Sequence, residues 1–343
     1  MSQRAAAAAR LFFPLLLLAG CGREPAPALP ALVIDPDRVA VAGLSSGAYM
    51  ATQVHLAFSD RLRGAALVAG GPYGCAVGTL QIALGSCMQG APAPDLAALA
   101  QRVRERADRG ALAPLDGLRG DHVFVLHGRD DTTVAPALGA AAADLYAELG
   151  GDGLALQRDF ERGFAHVWPT VDRGGDCGEP AAPWLGACGF DAAGAALAWL
   201  YGPPSRDAAA GTGGELREFD QTVFAADGSG SPQLADRGFA YVPKACAAGE
   251  ACGLLVVFHG CEQSAVQVGN VFARDAGFNR WADVYGLVVL YPQVQPSWLP
   301  LNPKACWDWW GYTGADYDTR AGAQVGWVGR VIDTLAAAGG GAR

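Results

Sequence analysis

The chain has 343 residues, of which 51% are hydrophobic, so it is long enough to bury a large core. Its formal net charge is −9, and Lys244 and Lys304 are its only lysines. Because a phosphate backbone attracts a basic surface, this charge balance argues against nucleic acid as a partner.

Residues 1–20 have the composition of an export signal. Arg4 and Arg10 are basic, and the apolar run 11–18 is too short to span a bilayer. The run ends in Leu-Ala-Gly-Cys, which resembles a bacterial lipobox whose cysteine, here Cys21, is lipidated. We therefore expect a lipoprotein signal peptide over residues 1–20, with an ordinary signal peptide as the alternative.

The residues after Cys21 indicate where such a protein stays. Gly22 follows the cysteine, and the resemblance to lipoproteins then implies an anchor in the outer membrane of a cell that has two membranes. Residues 22–30 are rich in proline and alanine, which is typical of a flexible segment. We expect residues 21–34 to form a tether ahead of the folded domain.

The rest of the chain alternates apolar runs with helical stretches. This alternation predicts an α/β fold with a mostly parallel sheet covered by helices on both faces. The predicted strands are, in chain order, 38–42, 65–69, 123–126, 154–160, 216–224, 238–242, 254–258 and 287–291. The predicted helices are 46–58, 94–109, 136–149, 192–201, 278–285 and a C-terminal helix that carries Val325, Val328, Ile332 and Leu335 at helical spacing.

Eight cysteines remain when Cys21 is set aside, and an even number in an exported chain indicates disulfides. Eight cysteines allow roughly a hundred pairings, so the pairing stays open. The short spacings favour Cys75–Cys87, Cys177–Cys188 and Cys246–Cys252, which leaves Cys261–Cys306. No CxxC pair and no histidine at ligand spacing is present, so we expect no metal site.

Gly43-Leu44-Ser45-Ser46-Gly47 is a G-x-S-x-G motif between a predicted strand and a predicted helix. This context is typical of a nucleophile elbow, in which a sharp turn lifts the serine hydroxyl clear of the sheet. The helix that follows points its N-terminus at the site, where negative charge develops. Ser45 is the predicted nucleophile, because Leu44 and Ala48 stand where the motif would need glycines on either side of Ser46.

The same motif predicts that an acid and then a histidine follow the serine in chain order. Asp130 and Asp131 come directly after a buried strand, and we expect Asp131 to be the acid rather than a helix cap or a solvated turn. His166 lies 35 residues after Asp131, in a loop past the next strand, and is the predicted base. His55, His122, His127 and His259 lie in helices or at strand ends, with His127 a candidate brace for the acid loop.

The order of elements is unusual for a nucleophile elbow, which normally follows several strands. Here Leu254–Phe258 and the next residues, His-Gly-Cys, resemble the strand and loop that precede an elbow and donate an oxyanion N–H. Joining the C-terminal helix to Asp35 would restore the usual order. We therefore predict a circular permutation within one catalytic domain, residues 35–343, with halves 35–202 and 215–343.

Five segments make the resemblance specific: Gly-Leu-Ser-Ser-Gly-Ala-Tyr-Met (43–50), Gly-Gly-Pro-Tyr-Gly-Cys (70–75), Asp-Thr-Thr-Val (131–134), His-Gly-Cys (259–261) and Cys-Trp-Asp-Trp-Trp-Gly (306–311). Together they resemble the circularly permuted polyhydroxybutyrate depolymerases, over nearly all of the chain after the tether. The resemblance implies a secreted serine esterase that cleaves 3-hydroxybutyrate esters and needs no cofactor.

The resemblance also implies roles for individual residues. The triad would be Ser45, Asp131 and His166, and the oxyanion hole would use the N–H groups of Ser46 and Cys261. Trp307 would help to bind the substrate, although Trp307, Trp309 and Trp310 could instead be packing residues.

Two other functions stay open. A feruloyl or short-chain acyl esterase would use the same triad, because substrate choice depends on the shape of the pocket. A lipoprotein that binds a ligand without catalysis is a more distant alternative. No appended module that would bind the surface of a solid polymer is recognisable, and this favours amorphous polymer or soluble oligomers as the substrate.

Overall fold

The computed structural model describes residues 27–208, 213–226 and 233–339. The predicted signal peptide and the predicted lipidation site at Cys21 lie outside the described residues. Within those ranges, no helix is both long enough and apolar enough to cross a membrane.

The strands and helices follow the alternation that the sequence predicts. The strands are β1 (Val33–Leu44), β2 (Gly64–Val68), β3 (His122–Leu126), β4 (Ala155–Asp159), β5 (Trp168–Thr170), β6 (Gly175–Asp176), β7 (Leu185–Ala187), β8 (Glu215–Asp220), β9 (Arg237–Val242), β10 (Ala251–Phe258) and β11 (Leu287–Tyr291). The helices are α1 (Ser46–Phe58), α2 (Leu80–Leu84), α3 (Ser86–Gln89), α4 (Leu96–Asp108), α5 (Pro136–Gly150), α6 (Ala192–Tyr201), α7 (Lys244–Ala247), α8 (Ala265–Val268), α9 (Val271–Asp275), α10 (Phe278–Tyr285) and α11 (Ala323–Gly339).

The central sheet has eight strands in the described part of the chain, in the order β4-β3-β2-β1-β10-β11-β9-β8. The strands from β4 to β11 run parallel, and β9 and β8 complete one edge in antiparallel pairing. The strand before Ser45 is therefore near the middle, where Ala42 pairs with Ala66 on one side and Val257 on the other. Parallel strands covered on both faces are continuous apolar runs, which is why they were recognisable in the sequence.

Helices cover both faces of this sheet, as the sequence predicts. On one face α1, α4, α5 and α11 contribute core residues such as Val54, Val103 and Ile332. On the other face α6, α9 and α10 contribute Leu197, Phe272 and Phe278. The predicted α/β fold, with a single domain and a mostly parallel sheet, is confirmed.

The first strand begins earlier than the sequence suggests, and the tether is correspondingly shorter. Leu32 and Ile34 are buried, and the Asp220 N–H donates a hydrogen bond to the Pro27 carbonyl at 3.1 Å. The expectation that residues 21–34 form a free tether is therefore wrong for residues 27–34. Burial of Leu32 and Ile34, together with the pairing of Val33 and Ile34 with the start of β10, docks this stretch against the domain.

A second sheet was not predicted. It has the order β5-β7-β6 and lies in the loop region between β4 and α6. Its strands have only two or three residues each, too few to give a periodic pattern. The predicted strand 216–224 also ends early, because the Asp220 side chain accepts a hydrogen bond from the Thr222 N–H and turns the chain.

Disulfides join four pairs of cysteines within the described residues, and they are the pairs expected from the sequence. The pairs are Cys75–Cys87, Cys177–Cys188, Cys246–Cys252 and Cys261–Cys306. Such a number of disulfides is typical of an exported protein.

Candidate active site

Ser45 occupies a strained turn between β1 and α1. Its backbone has φ 57° and ψ −120°, a left-handed conformation that costs free energy for a residue with a side chain. Its N–H donates to the Val68 carbonyl at 2.9 Å, and its own carbonyl accepts from the Ala48 and Tyr49 N–H groups. The turn is thus fixed by β2 on one side and by the first turn of α1 on the other.

The glycines on either side of Ser45 are required by close backbone contacts. A Cβ atom on Gly43 would lie 2.2 Å from the Gly47 carbonyl oxygen. A Cβ atom on Gly47 would lie 2.2 Å from the Phe258 carbonyl oxygen, at the end of β10. The second glycine therefore lets α1 approach the strand that leads into the predicted oxyanion loop.

Asp131 and His166 are in direct contact beyond the ends of β3 and β4. His166 Nδ1 donates to Asp131 Oδ2 at 2.7 Å, and both side chains are buried. The other carboxylate oxygen, Oδ1, accepts the N–H groups of Thr133 at 2.8 Å and Val134 at 3.0 Å. The neighbouring Asp130 side chain is 57% exposed and pairs with Arg129, so Asp131, and not Asp130, is the carboxylate in contact with the imidazole.

The surroundings of Asp131 keep its carboxylate ionised. Burial alone would raise the pKa of Asp131, but hydrogen bonds from His127 and His166 outweigh burial and hold the pKa below its ordinary value. His127 Nε2 lies 3.2 Å from the same oxygen that His166 contacts. The acid therefore has two histidine neighbours, of which sequence reasoning assigned a role in the triad to only one.

The loop that carries His166 is held by the small sheet. The Ala165 N–H donates to the Cys177 carbonyl at 3.0 Å, and the Trp168 N–H donates to the Trp184 carbonyl at 2.8 Å. The disulfide of Cys177 with Cys188 closes this segment. These bonds and the disulfide hold the loop in place, which fixes the imidazole beside the cleft.

The two predicted oxyanion donors lie at the ends of adjacent strands. Ser46 begins α1 after β1, and Cys261 follows β10. In the described ranges, neither backbone N–H donates a hydrogen bond. Both are consequently available to an oxyanion, and the N-terminus of α1 adds positive potential on the same side.

His259 fixes the loop that carries Cys261. Its Nδ1 donates to the Gly260 carbonyl at 2.7 Å, and its Nε2 accepts the Val294 N–H at 3.3 Å. Burial lowers the pKa of His259 to about 4, so the ring is neutral, and the hydrogen bond to Gly260 opposes this shift only partly. The Gly260 N–H donates to Gln263 Oε1 at 2.8 Å, which closes the turn.

Ser45 and His166 line the same cleft, whose volume is about 490 Å³. Most of its other walls are apolar: Leu44, Leu80, Leu84, Met88, Trp184, Leu301, Pro303, Trp309 and Trp310, with the Cys261–Cys306 disulfide. Its charged lining residues, Glu262 and Lys304, pair with each other at 3.1 Å. The cleft therefore suits an uncharged, largely apolar ligand.

No hydrogen bond joins Ser45 Oγ to His166 in the part of the chain that the structure describes. Hydrogen bonds between nucleophile and base are often long before substrate binds, so this arrangement is compatible with a base that engages the serine during reaction. Of the other histidines, His55 is buried in a hydrogen-bond network with Asp121 and Tyr146, away from the cleft.

Trp307 does not line the cleft, so its role in binding substrate has no support from this geometry and stays a prediction. Its side chain is fully buried against Phe258 and His259, with ring centroids 4.9 and 5.6 Å away. The Asp308 carboxylate accepts several N–H groups of the next residues and curls the chain there. Residues on either side of this turn consequently face different ways, so that Trp309 and Trp310 line the cleft instead.

Sequence reasoning missed most of the cleft wall. Leu80 and Leu84 lie on a helix too short to be recognised by periodicity, and Trp184 lies in the loop between two cysteines. Two signals were available in the sequence. One was an aromatic residue between paired cysteines, and the other was the isolated leucines in a glycine-rich region. The described residues contain no cluster of three or more His, Cys, Asp or Glu side chains that could hold a metal ion.

Comparison with known proteins points to one family. The sequence model of the family "Esterase PHB depolymerase" matches residues 238–340. A poly(3-hydroxybutyrate) depolymerase of Delftia acidovorans is 36% identical over 318 residues, which cover 91% of this chain but only 62% of that relative. A polyhydroxybutyrate depolymerase of Talaromyces funiculosus is 33% identical over 327 residues, covering 90% of this chain and 93% of that relative.

Solved structures agree with the sequence relatives. The crystal structure of PHB depolymerase from Penicillium funiculosum has a TM-score of 0.82 and 31% identity, and the match covers 91% of this chain and 99% of that chain. A PHB depolymerase with its serine changed to alanine, in complex with an R3HB trimer, matches with the same TM-score and 30% identity. The chain belongs to the polyhydroxybutyrate depolymerase family and is thus a carboxylic ester hydrolase with an α/β-hydrolase fold.

Proposed function

We propose that this protein hydrolyses poly(3-hydroxybutyrate) or its oligomers through an acyl-enzyme intermediate on Ser45. The observation that carries the proposal is the contact of His166 with Asp131 at 2.7 Å, at the edge of a cleft that Ser45 also lines. An acid, a base and an elbow serine at the ends of neighbouring parallel strands are the arrangement that acyl transfer requires.

The reaction begins when His166 takes the proton of Ser45 as the serine oxygen attacks the ester carbonyl. Asp131 holds the imidazole with its proton on Nδ1 and stabilises the imidazolium that forms. The Ser46 and Cys261 N–H groups hold the oxyanion, each contributing roughly 3–4 kcal/mol. His166 then protonates the departing alcohol oxygen, and a water molecule that it activates hydrolyses the acyl group on Ser45.

The character of the cleft favours a polyester as the substrate. A chain of 3-hydroxybutyrate units is uncharged between its ends and carries a methyl group on each unit, which suits walls of leucine and tryptophan. Apolar side chains continue outside the cleft beyond Leu301, where Trp298 is 81% and Leu299 is 94% exposed. The R3HB trimer bound to a structural relative supports the same substrate class.

A feruloyl or short-chain acyl esterase remains the alternative, because its triad would be the same. An aromatic acyl group would also be compatible with apolar walls. The two activities differ in the acyl group that Ser45 must accept, so a direct comparison of substrates separates them.

The experiment is hydrolysis of 3-hydroxybutyrate oligomers by a soluble form that begins at Gly22, with Ser45→Ala as the inactive control. A feruloyl ester and a simple activated acyl ester are assayed in parallel. Release of monomer and dimer from the oligomers by wild type alone, with the feruloyl ester untouched, supports the proposal. Cleavage of the activated ester without cleavage of the oligomers contradicts the substrate assignment, and a folded protein that cleaves neither contradicts the esterase activity.

We also propose that the protein is held at the outer membrane by a lipid on Cys21. The support is the Leu-Ala-Gly-Cys sequence before a short segment whose later part, from Pro27, docks against the domain. Metabolic labelling with a radioactive fatty acid tests this, with Cys21→Ser as the control. We expect label on wild type alone, and an unlabelled wild-type protein in the medium would contradict the anchor.

A further inference from the structure

His127 is a buried titratable side chain that the proposed mechanism leaves unused. It lies directly after β3, three residues upstream of the exposed Asp130 and four upstream of Asp131. Its side chain has no exposed surface. A polar ring enclosed in this way is costly to bury unless its nitrogen atoms find hydrogen-bond partners.

The contacts of His127 determine its protonation state. Nε2 lies 2.9 Å from the Val134 carbonyl oxygen, which can only accept, so Nε2 carries the hydrogen. Nδ1 is buried without a hydrogen-bond partner among the described residues and lies against Gly139 of α5. A second proton on Nδ1 would be an unsatisfied buried donor, so His127 is neutral with its hydrogen on Nε2.

The same nitrogen lies close to the carboxylate of the proposed triad. Nε2 is 3.2 Å from Asp131 Oδ2, which also accepts the 2.7 Å hydrogen bond of His166. The contact with His127 is one of the interactions that lower the pKa of Asp131. Together with the two backbone N–H groups on Oδ1, this gives the carboxylate four donors, as many as its lone pairs accept. The carboxylate can then neither rotate nor take up a proton without losing a hydrogen bond.

We propose that His127 is a positioning residue of the triad. Its neutral Nε2–H holds Asp131 Oδ2 in place and attracts part of the negative charge of the carboxylate, which would otherwise interact with His166 alone. This inference rests on the proposed role of Ser45, Asp131 and His166. Its consequence is that His127 determines the pH below which the enzyme loses activity, since that pH reports protonation of the base.

Other charges around the pair are exposed or already paired, so they do not replace this interaction. They are Arg129 with Asp130, Arg162 with Asp159, and Glu262 with Lys304 across the cleft, and Glu161 lies exposed on the loop before His166. The first turns of α5, which pack against His127, carry no charged side chain. Changing His127 therefore alters its contacts with the Val134 carbonyl and with the carboxylate, and leaves these other charged pairs in place.

The test compares two variants of matched length, His127→Gln and His127→Met. The glutamine amide can return an N–H group to the Nε2 position, whereas methionine fills similar space and donates nothing. The pH dependence of kcat/KM is measured on a soluble activated acyl ester, so that the outcome does not depend on polymer binding. Thermal unfolding of each variant reports on folding.

For His127→Met we expect kcat to fall about tenfold and the acid limb of the pH profile to move upward by about half a pH unit. The upward shift follows because the carboxylate of Asp131 then interacts with His166 alone, so it stabilises the imidazolium of His166 more strongly. For His127→Gln we expect the wild-type acid limb and a kcat within about threefold of wild type.

Equal profiles for the two variants, or an unshifted or lowered acid limb in folded His127→Met, would overturn the proposal. If both variants fail to fold, nitrogen NMR of the wild-type imidazoles tests the same assignment, and a hydrogen on His127 Nδ1 in place of Nε2 overturns it. An inactive wild-type protein would instead contradict the proposed function, so the two failures are distinguishable.

Discussion

The rings of Tyr49 and Trp309 stack, with centroids 4.5 Å apart and planes 16° from parallel. Tyr49 lies in the first turn of α1, and its hydroxyl donates to the Cys87 carbonyl at 2.6 Å. A single side chain on α1, the helix that follows Ser45, thus contacts two parts of the cleft wall, Trp309 and helix α3. The position of Ser45 and the width of the cleft are consequently fixed by the same helix.

The identity of the acid can be tested with two adjacent residues. We expect Asp131→Asn to lower kcat roughly 10⁴-fold, because the imidazole then loses the acceptor that fixes its tautomer. Asp130→Asn is the matched control and should retain activity, since that side chain is exposed. Steady-state kinetics on an activated acyl ester measure both, and a large loss in the Asp130 variant alone would reverse the assignment.

The Cys261–Cys306 disulfide should matter for turnover as well as stability. Replacing both cysteines by alanine frees the loop that carries an oxyanion donor, so we expect kcat to fall roughly tenfold. The free energy of unfolding should fall by about 4 kcal/mol, the chain-entropy value for a 45-residue loop. Kinetics and urea unfolding give the two quantities.

The control for this experiment is the double alanine variant of Cys246 and Cys252, which close a loop of six residues outside the cleft. It should lose about 2 kcal/mol of stability and keep the wild-type kcat. Equal losses of kcat in the two double variants would argue against a specific role for the disulfide at the cleft.

His259 makes stability depend on pH in a defined range. In the unfolded chain it binds a proton near pH 6.5, whereas in the folded protein burial lowers its pKa to about 4. The unfolded state therefore binds more protons between these values, and the free energy of unfolding falls by up to about 3 kcal/mol as the pH decreases from 6.5 to 4. Urea unfolding at both pH values measures the fall.

His259→Gln removes the titration while keeping a group that can donate to Gly260 and accept from Val294. Its free energy of unfolding should change less than that of wild type over the same pH range. A variant as sensitive to pH as wild type would assign the effect to other groups.

Trp307 and Leu301 should differ in what they control. Trp307→Phe is expected to lower the free energy of unfolding by about 2 kcal/mol, because it leaves a void beside Phe258, with little change in KM. Leu301→Ser should keep stability but weaken activity on solid polymer, since this half-exposed residue lines the cleft. A raised KM in the Trp307 variant at unchanged stability would restore its predicted role in binding.

The site was predictable as far as it depends on chain order and local pattern. Ser45 lies between glycines after an apolar strand, and Asp131 and His166 follow in the order that an elbow requires, so the three could be named as a candidate triad without coordinates. The strand positions followed from continuous apolar runs. The circular permutation stays a prediction, although the placement of β10 beside β1 is what it requires.

The cleft wall was not predictable, because it depends on which way single side chains point in irregular loops. Trp307, Trp309 and Trp310 share one short segment, and the turn around Asp308 decides which of them line the cleft. His127 was recognised as a brace for the acid loop, but its distance to Asp131 comes from the path of residues 128–134. Patterns along a chain do not determine such loop geometry.

The pairing of β1 with β10 has a consequence for how the chain is synthesised. Val39 to Gly43 obtain their neighbours Leu254 to Phe258 only when most of the polypeptide has been made. Until then one edge of an apolar strand has no partner, and such an edge can pair with another chain. A fragment that ends before Ala251 should therefore aggregate, so the early half of this protein depends on its late half to stay soluble.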